Sequence, residues 1–182
     1  MFKNIKDSQI TISELMLPSH SNFSGKIHGG YILNLMDQIA FACASKHSRH
    51  YCVTASVNKV DFLNPIDVGE LVTLKASVNY TGRTSMVIGV RVESENIQTG
   101  EKKHCNSSYF TMVAKDENGN NVPVPGIILN SKESIRRFSR SITRQEHAKN
   151  RSNDFNSSEF QIKDYLHLIE NKNAKIEFDE NH

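Results

Sequence analysis

Residues Tyr31 to Ala44 read Tyr-Ile-Leu-Asn-Leu-Met-Asp-Gln-Ile-Ala-Phe-Ala-Cys-Ala, a run in which only Asn34, Asp37 and Gln38 are strongly polar. Such a run lacks the β-branched alternation of a strand and is too short for the roughly 20 residues of a bilayer crossing, so it predicts a buried helix of about four turns. A helix apolar nearly all round must be wrapped on most sides by other elements. The wrapping follows in the chain. Val53, Ala55 and Val57 alternate with Thr54, Ser56 and Asn58; Val72, Leu74, Ala76, Val78 and Tyr80 alternate with Thr73, Lys75, Ser77 and Asn79; Met86, Ile88, Val90 and Val92 repeat the pattern. Each run predicts a strand with one buried face. The short links Thr81-Gly82-Arg83 and Asn96 to Glu101, the second leading into Cys105–Lys115, make neighbouring strands antiparallel. The expected class is α+β, a long helix with an antiparallel meander curled around it.

Charge divides the chain into three zones. Residues 1–130 hold 12 Lys+Arg and 11 Asp+Glu, residues 131–151 hold 7 and 2, and residues 152–182 hold 3 and 7. The patterned zone ends at Val122-Pro123-Val124-Pro125-Gly126, where prolines and a glycine stop regular structure, so the boundary is placed at 126: a domain over 8–126 and a tail over 127–182. In the tail, Ile135, Phe138 and Ile142 fall at helical spacing opposite arginines, which predicts a short amphipathic helix packed on the protein's own assembly. A second helix is expected over 160–171, and the polar stretch 150–159 is expected to be disordered. With a net charge of +2, nothing in the whole molecule asks for nucleic acid. No apolar run suits a signal peptide or membrane insertion, and three scattered cysteines, Cys43, Cys52 and Cys105, fit reduced thiols, so a cytoplasmic protein is expected.

Asp37 is the most informative residue. A carboxylate inside an apolar helix is costly unless it is paired, hydrogen-bonded or facing a cavity, and such positions often carry acid–base chemistry. Ahead of it lies Ile27-His28-Gly29-Gly30 at the helix start. There, small residues and free amides at the positive end of the helix dipole suit a developing oxyanion, although a plain tight turn would use the same glycines. His47-x-x-His50-x-Cys52 carries ligand types for a metal, but without a second ligand cluster it reads as a surface loop after the helix.

Together, Asn22-x-x-Gly25-x-Ile27-His28-Gly29-Gly30-x-x-Leu33-x-x-Met36-Asp37, Val53-Thr54-Ala55-Ser56-Val57-x-x-x-Asp61-Phe62-x-x-Pro65 and Thr81-Gly82-Arg83-Thr84-Ser85-Met86 resemble the hotdog-fold acyl-CoA thioesterases of the cytosolic acyl-CoA hydrolase type, over about residues 8–125. The resemblance implies a five- or six-stranded sheet around the helix. It also implies homo-oligomers, dimers joined edge to edge and trimers of such dimers, with acyl-CoA sites at the subunit interface. It gives Asp37 the role of activating water or attacking the thioester, Asn22 that of positioning, and Thr54 that of a strand hydroxyl completing the site from the partner subunit. Gly29 and Gly30 supply the oxyanion amides. Arg83, Thr84 and Ser85, with Lys59 and His28, are the candidates for holding the CoA portion, since guanidinium forks and hydroxyls suit phosphate oxygens. No cofactor or metal is expected. Two alternatives share the fold: a hotdog dehydratase or hydratase working through His28, and a non-catalytic acyl-CoA sensor.

Overall fold

The computed structural model describes residues 1–153, 161–169 and 172–174. Its long helix α1 spans Gly29–Ser48, longer at its C-terminal end than the apolar run alone predicts. His28 caps its start, the ring Nδ1 accepting the Gly30 N–H at 3.0 Å, and Arg49 closes it in the left-handed region at φ 65°. Ile32, Leu35, Met36, Ile39, Ala40, Cys43, Ala44 and His47 are buried, each with neighbours three or four residues along, which is one stripe. The expected burial on most sides is therefore corrected: Asn34, Gln38 and Phe41 lie exposed on the other face of a single chain.

The strands are β1 (Phe2–Asn4), β2 (Ile10–Leu15), β3 (Tyr51–Val57), β4 (Leu71–Thr81), β5 (Ser85–Glu95), β6 (Lys102–Lys115) and β7 (Gly126–Ile128). Five of them form one antiparallel sheet in the order β2-β4-β5-β6-β3, and β1 pairs with β7 in a parallel pair. The α1 stripe packs with Val72, Leu74, Val78, Met86, Ile88, Val90, Phe110 and Met112 of the sheet in one core. This is the hotdog arrangement. In β3 the expected alternation fails, because Ala55 and Val57 are exposed. A bulge between Thr54 and Ser56 breaks the two-residue period against β6, and β3 is an edge strand.

The segment after β6 stays attached. Val122 N–H donates to Ala114 O, Val124 N–H to Arg83 O and Gly126 N–H to Met1 O, so the prolines interrupt the ladder without ending the compact unit. That unit runs from Met1 to Ile142, past the boundary expected at 126 and before the start expected at 8. Helix α2 (Lys132–Asn153) begins within it, and Phe138 packs on Tyr80 with ring centroids 4.9 Å apart, while Ile135 and Ile142 stay exposed. The second unit, Thr143–His182, holds the rest of α2 and α3 (Ile162–Ile169), which lies inside the expected 160–171. Of the stretch expected to be disordered, residues 150–153 instead close α2 and 154–159 lie outside the described residues, as does Phe160 at the start of the expected second helix. Among the described residues no helix is long and apolar enough to cross a membrane.

Candidate active site

Asp37 sits midway along α1 between the buried Met36 and the exposed Gln38, so its carboxylate emerges at the margin of the core. Thr54 on β3 donates its hydroxyl to Asp37 Oδ1 at 2.6 Å, and the same Oγ1 lies 3.4 Å from Met112 Sδ. An O–H to carboxylate bond of this length is charge-assisted and fixes the rotamer of both partners. Thr54 was expected from a partner subunit; within one chain it already meets Asp37. Met112, which supports Thr54 from the facing position of β6, was not singled out in the sequence, because only the β3–β6 register brings it there.

Asn22 opens a tight turn. Its side-chain oxygen accepts from the Ser24 N–H at 2.9 Å, the Ser24 hydroxyl at 2.7 Å and the Lys26 N–H at 3.2 Å, which leaves the Nδ2 hydrogens as its available donors. The turn is anchored to the loop before β4 by the Lys26–Asp67 ion pair and by the Ile27 N–H to Ile66 O bond at 2.9 Å. The Lys26 ammonium holds the Asp67 carboxyl below its usual range. Among the described residues no hydrogen bond joins Asn22 to Asp37 or Thr54 within the chain.

At the helix start the two glycines differ. The Gly30 N–H is taken by the His28 ring, so it is not the free amide expected of it, while Gly29 faces the Phe62 ring, which lies 3.1 Å from where a Cβ would stand. His28 has a structural task in this chain, its Nδ1 capping the helix.

Arg83, Thr84 and Ser85 cluster at the β4–β5 turn, held by Gly82 N–H to Ser85 O, Val124 N–H to Arg83 O and Ala114 N–H to Thr84 O. Lys59 is elsewhere. It is ion-paired with Asp61 at 2.8 Å and its carbonyl is near Ser108, so six residues of β6, about 20 Å of strand, separate it from the Thr84–Ala114 contact. One chain does not bring these cations together.

The His47-x-x-His50-x-Cys52 stretch is not the surface loop expected. His47 is wholly buried in the last turn of α1; its Nε2–H donates to Pro125 O at 2.9 Å and its Nδ1 lies 3.1 Å from Ser8 Oγ. Burial holds this imidazole below its ordinary pKa. All three cysteines are buried, and burial pushes the Cys43 thiol up to about 12, far from the thiolate a nucleophile requires. The Thr54 hydroxyl and Asp37 carboxylate, by contrast, meet at the margin of the core.

Comparison with known proteins places the fold in one family. The model of the Thioesterase superfamily matches residues 24–101. Protein VdlD of Helicobacter pylori is 42% identical over 139 residues, 76% of this chain and 79% of its own. A solved apo-hexameric acyl-CoA thioesterase is 39% identical with a TM-score of 0.80, over 82% of this chain and 96% of its own. The acyl-CoA hydrolase of Staphylococcus aureus, solved in complex with butyryl coenzyme A and coenzyme A, is 27% identical with a TM-score of 0.78, over 93% of this chain and 99% of its own. That enzyme has also been solved with alanine replacing an asparagine, an aspartate and a threonine, successively 15 and 17 residues apart. The buried helix, the curled sheet and these matches together make the chain a member of the acyl-CoA hydrolase family of hotdog thioesterases.

Proposed function

We propose that this protein hydrolyses acyl-CoA thioesters to free fatty acid and CoA, with Asp37 as the base, at a site completed between two copies of the chain. The observation that carries the reading is the 2.6 Å bond from Thr54 to Asp37 Oδ1, which orients a carboxylate at the edge of the core and leaves its Oδ2 to take a proton from water. The resulting hydroxide adds to the thioester carbonyl, the oxyanion is held by the Gly29 N–H at the helix start, and the C–S bond breaks with the proton passing from Asp37 to the departing thiolate. Asn22, which has no bond to Asp37 in its own chain, positions the water or the substrate from the facing copy. The intervals from Asn22 to Asp37 and from Asp37 to Thr54 are also 15 and 17 residues, matching the positions replaced in the Staphylococcus aureus enzyme, which supports treating the three as one unit. Arg83, with Thr84 and Ser85, takes the phosphates of CoA. The chemistry asks for no metal or cofactor, and three free buried thiols suit a reducing, cytoplasmic setting.

The test is release of CoA thiol from short, medium and long acyl-CoAs, wild type against Asp37→Ala. Turnover by the wild type, lost in the folded variant, is the expected result; full activity in Asp37→Ala overturns the assignment of the base, and wild type inactive on every chain length overturns the hydrolase reading. A light-scattering mass equal to one chain would remove the shared site.

A further inference from the structure

The sheet face turned away from α1 carries a groove of about 430 Å³, within the range of small-molecule sites. Its floor is set by strand register: Thr11, Lys75, Arg91 and Ser107 stand opposite one another across β2, β4, β5 and β6. Lys75 directly facing Arg91 is a like-charge cross-strand pair, which costs stability. The fold tolerates it through Glu93, which accepts from Lys75 Nζ at 2.5 Å and Arg91 Nε at 2.8 Å. Those two cations hold the Glu93 carboxyl down to about 2. Above the floor, the first turns of α2 repeat the pattern. Glu133 accepts from Arg136 Nε and Nη2 at 2.8 and 2.7 Å and from Arg137 Nε at 2.7 Å, and Arg137 Nη1 reaches the Ser77 hydroxyl on the sheet at 3.3 Å.

Four cations thus share two carboxylates around one concavity, which leaves a local excess of two positive charges. All four are about half exposed, between 44% and 52%, so their charged heads can turn to an incoming group. Neutral donors complete the lining. Asn79 lies across Gly89, where a Cβ would come within 2.3 Å of its Nδ2, and it spends its Oδ1 on the Ser77 hydroxyl at 3.1 Å. Its amide hydrogens remain to donate into the groove.

We propose that this groove is a second binding site, for a phosphorylated small molecule whose dianionic phosphate sits between Arg91, Lys75 and the α2 arginines. Two guanidinium forks, an ammonium and an amide match several phosphate oxygens at once, a dianion balances the excess charge, and the remaining volume admits an organic body. The site is on the opposite face of the sheet from Asp37, so its occupant is not the reacting thioester group of the same chain. The phosphate could belong to a CoA molecule or to a separate phosphorylated metabolite.

Binding of pyrophosphate to the full-length chain, followed by calorimetry at low and then moderate salt, tests the proposal without any readout of turnover. Failure here leaves the hydrolase reading intact. Expected are one saturable site per chain, weakened about tenfold or more by Arg91→Gln on the sheet and by Arg136→Gln on the helix, and unchanged by Arg140→Gln, which removes an equal charge outside the groove. Thermal melts of the variants check folding, and the two substitutions lie on different elements, so loss of one leaves the other to decide. Displacement of pyrophosphate by CoA, with a raised KM for acyl-CoA in Arg91→Gln, identifies the occupant as CoA. No displacement and an unmoved KM identify a separate metabolite. Absence of saturation, or equal weakening by all three substitutions, overturns the site.

Discussion

Replacing Thr54 by valine deletes one hydroxyl and almost no volume, which isolates the contact on which the proposed mechanism depends. The bond removed is an O–H to carboxylate contact of 2.6 Å. Hydrogen bonds to charged groups contribute about 1.5–3 kcal/mol. At about 1.36 kcal/mol per tenfold in rate, Thr54→Val should lower kcat by about 10- to 150-fold. Because the hydroxyl is spent on Asp37 and not on the substrate, KM should move little, the split expected of a positioning residue. Thr54 is exposed on an edge strand where valine is an equally good strand former, so stability should change by no more than about 0.5 kcal/mol. Thr54→Ser keeps the hydroxyl and loses only the stiffness of a β-branched side chain, so it should recover most of the rate. The assay is CoA thiol release under saturating acyl-CoA, with the double variant Asp37→Asn/Thr54→Val closing the cycle. If Thr54 acts through Asp37, its loss costs almost nothing once Asp37 is already neutral. A Thr54→Val enzyme within about threefold of wild type, or penalties that simply add in the double variant, would refute the reasoning, since the estimate starts at about tenfold.

The buried His47 predicts a pH dependence of stability. Its native pKa lies below the ordinary value, so as the pH falls through about 6.5 the unfolded chain takes up a proton before the folded one, and stability drops until the native pKa is reached; above that window the contribution is level. His47→Leu should flatten the slope and, by orphaning the Pro125 carbonyl while Ser8 keeps its bond to Ile5 O, cost about 1–3 kcal/mol in urea unfolding at pH 7.5; an unchanged slope between pH 7 and 5 would assign it to other groups. Asn106 on β6 is wholly buried, and neither atom of its carboxamide has a partner among the described residues. Asn106→Leu, with the same number of side-chain heavy atoms, should raise stability by about 1–3 kcal/mol, whereas a fall in melting temperature would refute the idea that the unpartnered amide destabilises the fold.

Much of this fold was legible because two periodicities survive folding. The apolar run from Tyr31 to Ala44 gave α1, and the alternation in residues 72–92 gave β4 and β5, since both patterns report which side chains leave water. Asp37 stood out for the same reason, as a charge in an apolar stretch. What stayed hidden depends on contacts between distant segments. His47 looked like a surface residue because imidazole is polar, yet Ser8 and Pro125, 39 and 78 residues away, satisfy both ring nitrogens and let α1 continue one turn further. The Thr54–Asp37 bond needs the packing of β3 against α1, and the bulge after Thr54 erased the alternation that would have oriented the strand. The rear groove gathers residues from four strands and α2, which only strand register and the seating of α2 bring together. The compact unit likewise passed the prolines at 123 and 125, because their neighbours still donate to the sheet.

The edge strand offers a seam for the proposed two-chain site. Residues Tyr51 to Val57 form a seven-residue edge without a charged side chain or proline, the devices that usually keep an edge from pairing. Tyr51, Ala55 and Val57 are exposed on it, and Phe41 of α1 meets Tyr51 edge to face at 5.5 Å, so apolar surface and unpaired backbone lie together beside Thr54. Pairing β3 with its copy would extend the sheet and bury that strip. In the proposed two-chain site the Asn22 turn of the second copy is the one that serves Asp37, to which Asn22 makes no hydrogen bond within its own chain. A lysine at Ala55 puts a charge in the middle of this edge without touching Asp37 or Thr54, both of which can still bond within their own chain. Ala55→Lys should therefore reduce the light-scattering mass and abolish CoA release together, while the circular dichroism of the folded chain persists. A monomeric Ala55→Lys protein with full turnover would show that one chain holds a complete site, and an unchanged mass would show that the chains meet along another surface.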